Sequence, residues 1–124
     1  MIALKKALEH MAWSNQDFFD QIAKCPDDIY QLNASKDEWP VGKLLKHIVD
    51  AAEWYRYCLT GEKWSDLKDV DSKNLLLEYK NYLAQLDDVL IKESEKEDSL
   101  KTFRDEHGEK KVMASTILTQ VVVH

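Results

Sequence analysis

The stretch from Trp39 to Gly61 constrains this chain more than any other. Pro40 stands where the first turn of a helix tolerates a residue without an N–H, and Gly61 stands where a helix stops. Between them Val41, Leu44, Leu45, Ile48, Ala52, Tyr55 and Leu59 recur at helical spacing. A second stripe, Leu44, His47, Ala51, Trp54 and Cys58, lies beside the first. Together they cover about half the circumference at roughly 100° per residue. The remaining arc, Lys43, Lys46, Asp50, Glu53, Arg56 and Tyr57, reads as solvated. A helix apolar over so wide an arc is stable only when packed against others. His47 is then an ionisable residue on a face made to be buried.

Length and composition agree with a helical partner set. A chain of 124 residues is expected to form one domain over 1–124, and three Gly with two Pro leave few turns. That scarcity favours long helices and an all-α fold. The net charge of −6, with dispersed basic residues, gives no electrostatic support to a nucleic-acid partner. Two cysteines, Cys25 and Cys58, are too few for a disulfide scaffold and lack metal-binding spacing, so they read as reduced thiols of a cytoplasmic protein. Lys5, Lys6, Glu9 and His10 interrupt any leader-like apolar run, and no stretch approaches the ~18 apolar residues of a membrane span.

The first helix is expected from about Ile2 to Ala23, burying Leu4, Leu8, Met11, Asn15, Phe18 and Ile22, with Ala7 and Phe19 widening the line. His10, Ser14, Asp17 and Gln21 take the wet side. Asn15 is the polar exception in an apolar line, and a neighbouring backbone group is its expected partner, because an unpaired buried amide costs about 1–3 kcal/mol. Cys25-Pro26 ends that helix, and Pro26-Asp27-Asp28 opens a short segment reaching Leu32. Residues 33–38 connect it to the central helix. Glu62 to Val70 reads as an irregular link whose Trp64 and Leu67 fold back over the helices.

A third helix opens at Asp71 or Ser72 and runs to about Lys92, with Leu75 or Leu76, Tyr79, Tyr82 or Leu83, Leu86, and Val89 or Leu90 as its apolar line. Glu93 to Asp98 is a solvated charge run. Leu100–Asp105 and Lys110–Met113 flank the turn Glu106-His107-Gly108-Glu109, which reads as a small hairpin or two extended arms. The last segment starts with a Ser115 cap and places Ile117, Leu118, Val121 and Val122 on one face. It ends on three valines and His124 without stop signals, so the fourth helix reads as cut short or covered by something else.

His47 and His124 both fall on the inner margins of helices expected to pack together, whereas His10 and His107 read as surface residues. A lone histidine on an apolar face is more often a core residue bonded to a carbonyl. Two on adjacent helices shift the balance toward a divalent metal without reversing it, and two are fewer than the three protein ligands of a usual catalytic site. Glu53 and Asp50 read as solvated, Glu53 being a conceivable base or partner of a ligand. No Ser/His/Asp set, phosphate loop or dinucleotide fingerprint occurs.

The run Trp39-x-Val41-Gly42-x-Leu44-Leu45-x-His47-Ile48, followed by Glu53-Trp54-Tyr55 and a Gly-ended helix, resembles the second helix of the DinB/YfiT-like family of metal-dependent hydrolases. Trp13-x-Asn15 with Phe18-Phe19, the hairpin-like segment, and the closing Leu118-x-x-Val121-Val122-x-His124 fit the same family in the same order. The resemblance implies a four-helix bundle, commonly a homodimer. It also implies a divalent metal, nickel or zinc, bound by one histidine from the second helix and an H-x-x-x-H pair from the fourth. By position His47 matches the first ligand and His124 the start of the pair; the second of the pair would fall four residues further on, past His124.

Two readings follow. In one the protein is a metal-dependent hydrolase or thiol S-transferase acting on a small substrate, with a low-molecular-weight thiol as the other partner and His47 and His124 as ligands. In the other it keeps the fold for binding or dimerisation without a working metal site.

Overall fold

A computed structural model of the chain describes residues 3–62 and 65–123. The expected helix start at Ile2, the folding back of Trp64 and the placement of His124 lie outside these residues. The protein is mostly helical, with helices α1 (Leu4–Ala23), α2 (Val41–Thr60), α3 (Lys73–Ser94) and α4 (Ala114–Val123) and one antiparallel pair, β1 (Leu100–Asp105) and β2 (Gly108–Met113). A short 3-10 helix, Asp27–Gln31, joins α1 to α2. No described helix is long and apolar enough to cross a membrane.

The boundaries follow local chemistry. Pro40 precedes the first turn of α2, and Gly61 closes it with φ 78°, its N–H donating to the Tyr57 carbonyl at 2.8 Å. At the start of α3 the Ser72 hydroxyl accepts from Leu75 N–H. The hairpin turns through Glu106 and His107 into Gly108, whose φ of 112° an L side chain rarely adopts. For α4 the expected Ser115 cap is replaced by a distant one: Asp98 accepts from Ser115 N–H at 3.0 Å and from its hydroxyl at 2.6 Å. Those bonds, led by the hydroxyl, hold the Asp98 carboxyl below its ordinary range. The charge run thus ends by anchoring a helix, and Glu93, read as solvated, is buried inside α3 with Lys96 at 2.8 Å.

α3 packs against α1 and α2, α4 touches all three, and β1 lies against α2. The apolar interior has two masses. One gathers Phe19, Tyr30, Leu45, Val49, Leu76 and Leu83. The other gathers Leu8, Cys58, Leu59, Leu90, Ile117 and Leu118 under the hairpin end. α2 enters the first at Gly42, whose carbonyl accepts from Val70 N–H at 3.1 Å; a Cβ there would stand 2.1 Å from the Val70 oxygen. Burial of Val70 fixes the far end of the 62–70 link, as Leu67 half-buries along it.

Three sequence expectations change. Phe19 is fully buried and Phe18 is 41% exposed, because α1 turns its inner face toward α3 and α4 together. Asn15 bonds a side chain rather than backbone: its amide donates to Asp87 Oδ2 at 3.0 Å, on α3. The inner face of α2 is centred on Leu45, Val49 and Ala52 and takes in Glu53, which is 1% exposed. The start of the stripe carrying His47 is therefore turned away from the centre, with Leu44 and His47 exposed, whereas Cys58 at its other end is buried.

Candidate functional site

α2 carries two hollows that share His47, Ala51 and Tyr55. The outer one, about 420 Å³, lies between α2 and the 65–67 part of the link and is edged by Lys46, Asp50 and Asp66. Lys46 Nζ stands 3.5 Å from Asp50 Oδ2, one turn apart on α2. Partial burial pushes the Asp50 carboxyl up, and Lys46 opposes that rise. Burial likewise raises the Tyr55 phenol. The inner hollow, about 460 Å³, opens between α1, α2, α3 and α4. Its walls are mainly apolar, and Asn15, His47, Tyr55 and Asp87 are its polar members.

His47 stands at the lip common to both. Its ring meets Trp39 edge-on at 5.3 Å between centroids, and Lys43 Nζ lies 4.5 Å over the same indole. Trp39 is thereby a brace that orients the imidazole from the segment just before α2. Val121 and Val122, on the last described turn of α4, also line the inner hollow. His124 itself is outside the described residues. Among the described residues no three of His, Cys, Asp and Glu gather as a metal-binding group.

Asp87 was not legible as a site residue. It is 1% exposed, with one oxygen bonded to Asn15 and Oδ1 without a hydrogen-bond partner among the described residues. Burial raises its carboxyl to about 6, against the pull of the Asn15 bond. The available signal was its spacing: four residues after Leu83 and three before Leu90, it sits on the buried line of α3.

Glu53 belongs to a different group. Its carboxylate accepts from Ser65 N–H at 3.2 and 3.3 Å and from the Tyr82 hydroxyl, with Arg56 Nη2 at 3.6 Å. Arg56 in turn donates to the Tyr82 hydroxyl at 3.2 Å. This set ties the link to α2 and α3 and leaves Glu53 no open oxygen for chemistry, so it acts as a brace for the outer wall. Cys58 is equally closed: burial pushes its thiol up to about 12, which leaves it protonated and unreactive.

No curated protein and no solved structure significantly matches the chain. A family model described as the DinB family matches residues 1–124. Matched over this span, the chain belongs to the DinB family.

Proposed function

We infer that the protein is a metal-dependent enzyme built as a four-helix bundle, holding a divalent cation, nickel or zinc, between α2 and α4 through His47 and His124. The observation that carries this reading is the placement of His47 in the lining of a hollow that the last described turn of α4 also lines. A neutral imidazole braced by an indole is a suitable ligand for such a cation. The described residues supply one ligand of the set, His47, and the reading takes His124 as a second. When bound, the cation supplies a water or a low-molecular-weight thiol of lowered pKa, suited to hydrolysis or to thiol transfer onto a small electrophile. The chain's own contribution is positional: Trp39 fixes the His47 ring, and the apolar walls of the inner hollow exclude water from a bound substrate.

A second reading, a non-catalytic binding or dimerisation protein with the same fold, is favoured by exposed apolar surface on α1 and α4. Trp13 is 63% exposed and Val123 69% exposed, on a chain that in the first reading is also a homodimer. Metal analysis of the purified protein after dialysis against nickel or zinc separates the two. Near-stoichiometric metal, lost on His47→Ala while the far-ultraviolet helical signal persists, supports the enzyme. Metal content near zero, or unchanged in His47→Ala, overturns it.

A further inference from the structure

The inner hollow contains an acceptor that none of the described residues satisfies. Asp87 Oδ2 is taken by Asn15, whereas Oδ1 is enclosed and has no hydrogen-bond partner among the described residues. A carboxylate oxygen so placed destabilises the fold unless a donor reaches it. Around it Met11, Ile48, Leu90 and Val121 make an apolar enclosure, in a volume within the range of small-molecule sites.

We propose that this hollow binds a small molecule bearing a primary ammonium group on an apolar body, the ammonium donating to Asp87 Oδ1 and the body packing against Met11, Ile48, Leu90 and Val121. Several observations select that chemistry. Among the described residues no lysine or arginine lines the hollow to compete for Asp87. One unpartnered oxygen suits a point donor; a guanidinium fork needs two, and Asn15 holds the other. A divalent metal needs several ligands, and Asp87 is in no cluster of them among the described residues. The net charge of −6 attracts cations and repels carboxylates. The elevated carboxyl of Asp87 agrees, since it marks an ionised form that the surroundings do not yet stabilise. This site stands on Asp87, which is not a ligand in the metal reading, so either can fail alone.

The test uses the full chain with metal removed by chelation, so that loss of the metal reading does not affect it. Binding of hexylammonium, 1-hexanol and hexanoate is measured by calorimetry and by amide shifts at slightly alkaline pH. Hexylammonium is expected to bind at least about tenfold tighter than hexanol, as a charge-assisted bond requires, and hexanoate more weakly than either. Asp87→Asn should erase the preference for the amine over the alcohol. Ala51→Phe, which narrows the hollow from α2, should weaken both, with melting curves establishing that each variant is folded. Equal affinity for amine and alcohol, no amine binding, or a preference that survives Asp87→Asn overturns the proposal. Should Asp87→Asn not fold, unchanged amine binding by Ala51→Phe overturns it as well.

Discussion

Replacing Asp87 by Asn gives the sharpest account of what this carboxyl costs. Its folded-state value of about 6 lies above the 3.8 of a free carboxyl, so the native state holds a proton that the unfolded chain releases. Between those values the folded form binds more protons, and stability must fall as pH rises. Below both values nothing is lost. Above both the full cost applies, about 3 kcal/mol at about 1.36 kcal/mol per unit. Asn carries no such titration, although its amide leaves a donor facing the hollow at a cost of about 1–3 kcal/mol. The pH dependence is therefore cleaner than either absolute stability. Urea unfolding of both proteins from about pH 4 to about pH 8 should show the parent losing about 2.5 kcal/mol relative to Asp87→Asn, most of it before neutrality. Other carboxylates cancel in the difference; His47 and Tyr55, which line the same hollow, are present in both proteins. A gap flat to within about 0.5 kcal/mol would refute the burial argument, and a gap that moves the other way would mean that Asp87 is ionised and already paired.

Gly42→Ala should destabilise by at least about 1–3 kcal/mol in denaturant unfolding, because the added Cβ meets the Val70 carbonyl, which is backbone and has no rotamer to yield. Glu53→Ala should cost about 3–5 kcal/mol and make the 62–70 link more sensitive to protease, since Arg56, Tyr82 and Ser65 N–H lose a shared buried acceptor. A thiol reagent should titrate Cys25 alone in the native protein and both cysteines after denaturation; two fast thiols in the native state would contradict the burial of Cys58.

Helix boundaries were legible because their causes are local. Pro40 and Gly61 bracket α2 within the sequence itself, and Ser72 caps α3 three residues from its partner. The hairpin followed from Gly108 between two alternating arms. What the sequence concealed depends on partners far along the chain. Asn15 and Asp87 each look like a polar fault in an apolar line, and only their meeting across α1 and α3 makes sense of both. Glu53 looks like one more surface charge until Ser65 and Tyr82 reach it. Periodicity gave α2 an apolar arc wide enough to include His47, but over the first half of the helix neighbours cover the Leu45 and Val49 side and leave Leu44 and His47 exposed. The unburied half became the lip of the two hollows.

The divided interior has a mechanical meaning. Ile48 and Ala52 belong to one apolar mass, Met11, Leu90 and Val121 to the other, and the inner hollow lies along the join. With the join open, the hairpin and α4 can loosen as a unit while the other half stays closed. A guest lodged there would touch both masses at once, so slower amide exchange in α4 is the expected mark of its binding.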